Sequence, residues 1–244
     1  MDKTENYCQF LEWDTNFFGF RIARVSMDYL NQDIVDSIDC WCSKQNIDCL
    51  YFLCNPNTRI SIKSAERNNF HFVDIRLTFE VNLDNKSLLQ DTDYKYPIRP
   101  VIPRDIPILK SIASTIYRET RFFFDNNFPK DLSSVMYEIW IEKSCNNYAE
   151  SVFVAESNGE LCGYITCNFD NQYGRIGLVG VSPKYSSRGI GQKLINRSFQ
   201  WFFEKGVNKV HIVTQGRNIR AQRLYQRCGF ISKTAQIWFH KWYR

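Results

Sequence analysis

The stretch VGVSPKYSSRGIGQKLINRSFQWFFEKG, residues 179 to 206, decides how the rest of the chain is read. It opens as the end of a strand, Arg175 to Val181, which Ser182-Pro183 closes because proline has no N–H for the ladder. A loop of mostly small residues follows, Ser186, Ser187, Arg188, Gly189, Ile190 and Gly191. Beyond it Ile195, Phe199, Phe202 and Phe203 recur at spacings of three and four, which predicts an amphipathic helix with Gly206 as its C-terminal cap. The loop therefore sits at a helix N-terminus. There unpaired N–H groups and the positive end of the helix dipole face outward, and glycines let a phosphate approach the backbone. In physical terms this is a pyrophosphate site, although the loop lacks the Gly-Lys-Ser/Thr ending of a P-loop and does not fit GxGxxG. Taken alone, it is equally an ordinary glycine loop before a helix.

The flanking segments extend the pattern. Upstream, Val152–Ala155 and Leu161–Asn168 read as a β-hairpin, joined through Asn158-Gly159, the favoured pair for a turn with two positive φ angles. Downstream, Lys209–Gln215 reads as a buried strand. The next segment, NIRAQRLYQRCGF (218 to 230), places Ala221, Leu224, Tyr225 and Cys228 on one helical face. Tyr225 is either core filler or a phenol presented to a leaving group beside a splayed sheet edge.

The polar stretch Leu83–Pro97 separates this half from the first, with a boundary expected near residue 94 and domains at 1–93 and 94–244. A shift of 160 positions lays the first half on the second without a gap. Gln32 meets Gln192, Trp41 meets Trp201, the run Leu50–Leu53 meets Val210–Val213, and Asn69-Phe70 meets Gly229-Phe230. A helix, strand, helix, strand order at constant register points to a duplicated unit, although many α/β segments share this rhythm. The two copies differ where chemistry is expected: Asn31 stands for Gly191 and Ala65 for Tyr225.

Composition narrows the classes. With 244 residues, 44% of them hydrophobic and 23% charged, the chain is long enough for a substantial core and too apolar for long disorder. No apolar run is long enough to cross a bilayer, and the opening MDKTENYCQF lacks the features of a secretion signal, so no membrane partner and a cytoplasmic location are expected. Nine irregularly spaced cysteines read as reduced packing residues, and the three scattered histidines predict no metal site. The net charge of +5 suits a small polyanion. With no RRM or KH signature beside it, no nucleic-acid partner is expected.

Together, VGVSP, the loop SSRGIG and N-x-x-A-x-x-L-Y-x-x-x-G-F resemble the GNAT N-acetyltransferase superfamily in order and spacing over residues 150 to 243. The loop departs from the family pattern, having Ser186 and Ser187 where Gln/Arg then Gly is usual. The opening LEWDTNFFGFRIARV, the central TRFFFDNNFP and the closing WFHKWY are similar to the WecD-type branch, whose members acylate the amine of a dTDP-linked amino-dideoxy sugar. The resemblance implies an α/β (α+β) fold: a mixed, mostly antiparallel sheet flanked by helices, with a degenerate first lobe.

It also implies acyl-CoA as cosubstrate, acetyl by default or a short hydroxyacyl. Val179, Gly180 and Val181 would meet its pantetheine arm, residues 186 to 191 its pyrophosphate, and Asn218, Ala221 and Tyr225 the region near its thiol. Tyr225 would be the general acid, and Arg121, Phe124 and Asp125 would bind the acceptor, unless that segment is a surface loop over packed aromatics. The base is left open among Asp125, Glu119 and an ordered water. Arg220, Arg223 and Arg227 form a basic stripe that either meets the coenzyme's 3′-phosphate or is simply solvated. The resemblance further implies a homodimer and a role in lipopolysaccharide O-antigen synthesis. Two other readings stay open: a GNAT enzyme for protein or aminoglycoside amines, and a CoA-binding regulatory protein without turnover.

Overall fold

The computed structural model describes residues 7–84, 96–170 and 173–243, so the boundary expected near residue 94 lies outside the described residues. In the first half lie β1 (Cys8–Phe10), α1 (Glu12–Phe18), β2 (Ile22–Val25), α2 (Gln32–Lys44), β3 (Cys49–Cys54), α3 (Arg59–Arg67) and β4 (His71–Asn82). In the second lie β5 (Ile98–Pro100), α4 (Ile106–Ile116), α5 (Arg121–Phe124), α6 (Lys130–Lys143), β6 (Ser151–Ser157), β7 (Glu160–Phe169), β8 (Gly174–Val181), α7 (Ile190–Glu204), β9 (Lys209–Gln215), α8 (Ile219–Arg227) and β10 (Ile231–Trp242). Local chemistry explains several boundaries. Asn158 and Gly159 carry the expected positive φ angles between β6 and β7, and Gly206 ends α7 at φ 74°. Asn31 accepts from the Ile34 N–H at 2.9 Å, capping α2.

Among the described residues, ten strands join one mixed sheet in the order β1-β2-β3-β10-β4-β9-β8-β7-β6-β5. Only β2/β3 and β8/β9 pair in parallel; the other neighbours are antiparallel. Alternation along the strands separates two faces. Tyr51, Val152, Val154 and Tyr164 pack toward α1, α4 and α6. Phe52, Phe239, Phe79, Phe153 and Ile176 point the other way, onto α2 and α3 in the first half and α7 and α8 in the second.

The 160-residue register is visible in three dimensions. It superposes α3 on α8 and β4 on β10 end to end. It also maps the β4/β10 pairing onto itself: Ile237 faces Ile75 and Ala235 faces Leu77, about a central Arg76–Gln236 pair joined at 2.9 Å. The two irregularities in this ladder are likewise images of each other. A consequence not visible in the sequence is strand exchange. The C-terminal strand β10 lies between β3 and β4, both of the first half, while β4 lies beside β9 of the second.

One asymmetry positions the site. In the first half β2 pairs with β3 through Arg24 and ends one residue later. In the second, β8 pairs with β9 only through Ile176 and then runs on to Val181 paired with β7 alone, leaving a wedge between β8 and β9. The Leu178 N–H turns to Thr166 Oγ1 and the Ser182 N–H to the Cys162 carbonyl, both at 2.8 Å on the β7 side. By alternation the peptide groups of Val179 and Val181 face the wedge.

Candidate active site

A cavity of about 930 Å³ occupies this wedge and reaches both faces of the sheet. On the α7/α8 face its wall is the loop before α7 and the first turns of α8; on the other it is Thr115, Ile116, Tyr117 and Glu119 at the end of α4. Of the residues expected to meet a coenzyme, Val179, Val181, Ser186, Ser187, Gly189, Ile190, Gly191, Asn218, Ala221 and Tyr225 line it together. Gly180 and Arg188 do not. A Cβ on Gly180 would stand 2.7 Å from the Tyr164 ring and from Ile116, so this glycine makes room behind the strand. Arg188 lies over the Tyr185 ring, 5.3 Å from its centroid.

The loop has the geometry its composition implied. Gly189 is the N-cap of α7 at φ 82°, and the first-turn amides that follow have no partner within the helix. Ser187 adopts φ 62°, so the loop makes a left-handed turn at a position where the family pattern has glycine. A Cβ on Gly191 would stand 2.9 Å from a terminal methyl of Leu224, so α7 and α8 pack closely at this glycine. Arg220 donates to Ser186 Oγ across the cavity mouth, and Arg223 and Arg227 add to the same rim. The rim is thus cationic beside unpaired amides, an arrangement suited to a diphosphate.

Asn218 caps α8, its Oδ1 accepting the Ala221 N–H at 3.0 Å. This role was missed in the sequence, although Asn at that place is a strong capping residue. Tyr225 is 6% exposed and packs edge-on to Phe79, a residue of the first half. Among the described residues no hydrogen bond engages its hydroxyl, and burial raises its pKa above the ordinary phenol value, so it is protonated at neutral pH.

Three further tyrosines, unforeseen from the sequence, close the wedge on the α4 face. The Tyr117 hydroxyl donates to the Val179 carbonyl at 3.1 Å and accepts from the Tyr164 hydroxyl at 3.1 Å. Its ring stacks on Tyr137 at 4.4 Å. No local spacing marks Tyr117, because its role depends on where α4 ends relative to β8.

The segment expected to bind an acceptor divides in two. Asp125 is buried and fully engaged: its carboxylate accepts from His240 Nδ1 at 2.7 Å, Trp242 Nε1 at 2.9 Å, and the backbone and side chain of Asn127. These bonds outweigh its burial and hold it well below the usual carboxylate range. His240, fully buried, is pushed down to about 4 chiefly by desolvation, with the Arg121 guanidinium adding to it, and is therefore neutral. With Nδ1–H turned to Asp125, His240 Nε2 accepts from Arg121 Nη1 at 2.7 Å. Three rings, of Tyr51, Phe122 and Trp238, hold the guanidinium at 4.0 to 4.4 Å. Phe124 is half exposed, with the Arg217 guanidinium 4.0 Å over its ring, one residue from Asn218 of the cavity. Neither Arg121 nor Asp125 lines the cavity wall. Among the described residues, Glu119 is the only carboxylate that does.

Wedge, loop and sheet together define the class: the chain has the fold of the GNAT acetyltransferase superfamily, and residues 113–230 match the family model described as the acetyltransferase (GNAT) family. Among solved structures, a GNAT protein from Sphaerobacter thermophilus aligns at TM-score 0.68 with 16% identity over 97% of this chain and 76% of its own. A functionally unknown conserved protein from Staphylococcus epidermidis aligns at 0.69 with 15% identity over 95% and 88%. A tandem GNAT protein from the clavulanic acid biosynthesis pathway aligns at 0.59 with 14% identity over 91% and 75%. By sequence the chain is 25% identical over 147 residues to the spore coat polysaccharide biosynthesis protein SpsD of Bacillus subtilis, covering 60% of this chain. The chain spans about half, 51%, of that relative's length. Among the described residues no helix is long and apolar enough to cross a membrane, and no group of three or more His, Cys, Asp or Glu is placed to hold a metal.

Proposed function

We propose that the chain is an acyl-CoA-dependent N-acyltransferase. It moves an acetyl or short hydroxyacyl group to the amine of a dTDP-linked amino-dideoxy sugar for surface polysaccharide synthesis, in the cytoplasm and as a homodimer. One observation carries the reaction type: a single cavity joins the unpaired amides at the start of α7 and the arginines of α8 to a protonated phenol, along a strand edge whose peptide groups are open. That edge would pair with the amides of a pantetheine arm while the loop holds the diphosphate. The amine attacks the thioester carbon, the N–H of Val181 supports the charge gained by the carbonyl oxygen, and Tyr225 protonates the departing sulfur. The amine's own proton leaves to water or to Glu119, the carboxylate within the cavity.

The substrate class rests on the likeness to SpsD and on Arg121 and Phe124. Arg121 has a cationic head fixed by His240 and three rings, suited to a phosphate, and Phe124 offers an exposed face for a base or sugar to pack on. Asp125 serves by fixing His240 and so Arg121, in place of direct contact. The test is mass spectrometry of dTDP-amino sugars incubated with the chain and a panel of acyl-CoAs. A product heavier by one acyl group is expected. Free CoA released with protein or aminoglycoside amines and none with sugar nucleotides would replace the substrate.

A further inference from the structure

The wedge has a direction. The diphosphate end of any donor is fixed by the loop beyond Val181, so a chain laid along β8 toward the strand junction passes Val181 first and Val179 next. Its reacting end therefore arrives beside the Val179 carbonyl. There the Tyr117 hydroxyl already stands, 3.1 Å from that oxygen and on the sheet face opposite α8 and Tyr225. The Tyr117 oxygen in turn accepts from Tyr164, which is fully buried, and a phenol that accepts one hydrogen bond becomes a better donor of another. Stacking on Tyr137 fixes the ring, and Gly180 leaves the space that Tyr164 fills.

We propose that Tyr117, oriented by Tyr164, is a second catalytic phenol: its O–H moves from the Val179 carbonyl to the thioester carbonyl oxygen and, as a second donor beside the Val181 N–H, stabilises the charge that gathers there. The proposal rests on the acyl-transfer reading above. As the amine nitrogen bonds to the thioester carbon, the carbonyl π pair shifts to oxygen, and Tyr117 donates a hydrogen bond to it without releasing its proton. When the C–S bond breaks, its electron pair goes to sulfur, which takes a proton from Tyr225, and the proton lost by the nitrogen leaves to water. Burial, with Tyr164 beside it, raises the Tyr117 pKa far above the ordinary phenol value, so Tyr117 remains a donor throughout. Tyr164 touches Tyr117 and no reacting atom, so it is a positioning residue.

The test needs no acceptor. Isotope-edited infrared spectra of the full chain with acetyl-CoA report the thioester carbonyl stretch directly. The parent chain is expected to lower that frequency on binding; Tyr117→Phe, which keeps the stacking ring, loses most of the lowering while acetyl-CoA affinity stays within about threefold. Tyr164→Phe loses part of it, and the double variant no more than Tyr117→Phe alone. With an amine acceptor, Tyr117→Phe is expected to lower kcat roughly 100-fold, the scale for one oxyanion donor, with the acceptor KM little changed. An unchanged carbonyl frequency in Tyr117→Phe overturns the assignment while leaving acyl transfer in place. Failure of the parent chain to bind acetyl-CoA removes both, so the two failures are distinguishable.

Discussion

At the scale of single residues, the proposed site turns on a phenol that the sequence singled out and on partners that it did not. Tyr225 was legible because its face of α8 follows from three-and-four spacing, and the burial of Cys228 with it agrees. What spacing could not supply was Phe79 packed against its ring, or a hydroxyl with no hydrogen-bond partner among the described residues. Tyr225 lines the cavity, where its hydroxyl is open to whatever the cavity holds. Tyr225→Phe is expected to lower turnover roughly 100-fold or more with acetyl-CoA affinity nearly unchanged. Single-turnover kinetics with the sugar-nucleotide acceptor, beside calorimetry for the donor, checks this, and equal rates in the two proteins would remove Tyr225 from the mechanism.

At the scale of elements, the loop before α7 shows which features a sequence encodes locally. Gly189 and Gly206, Asn158-Gly159 and the closing Ser182-Pro183 all act within a few residues of themselves, and each ends or turns an element where expected. Ser187 is the informative departure. Its φ of 62° shows that the backbone makes the same left-handed turn with a serine, at a strain of roughly 1 kcal/mol relative to glycine. The substitution therefore changes the cost of the loop more than its shape. Ser187→Gly is expected to raise the unfolding free energy by up to about 1 kcal/mol, the gain partly offset by the greater freedom of glycine in the unfolded chain. Acetyl-CoA should bind Ser187→Gly at least as tightly as the parent. Denaturant unfolding and donor titration read the two effects separately, and a weakened donor affinity would mean that the serine side chain, and not the loop backbone, holds the diphosphate. By contrast, the Arg121–His240–Asp125 network was illegible at this scale. It joins α5 to a strand more than a hundred residues away, and the placement of that strand depends on the whole sheet.

At the scale of the molecule, the sequence revealed a repeat by its register but not how the copies are joined. Register is a property of local periodicity; exchange of β4 and β10 is a property of which edges remain free once both halves have formed, and no residue announces it. The exchange makes the two halves interdependent. A chain ending before β10 loses Phe239 from the core under α2 and α3, His240 from the Arg121 network and the ladders on both sides of the strand. A chain lacking β4 loses Phe79, which packs on Tyr225, and Val81 from the core beneath α7 and α8. Removing one buried phenylalanine side chain costs about 3 to 5 kcal/mol, and a domain's whole net stability is roughly 5 to 15 kcal/mol. If 1–93 and 94–244 are produced as separate chains, neither is therefore expected to unfold cooperatively or to give a dispersed amide spectrum alone. Mixed in equal amounts they should pair through β3, β10, β4 and β9 and recover both. A sharp thermal transition from 94–244 by itself would show that β10 can close the second half without β4, and the first half would then be an appendage instead of a structural part of the site.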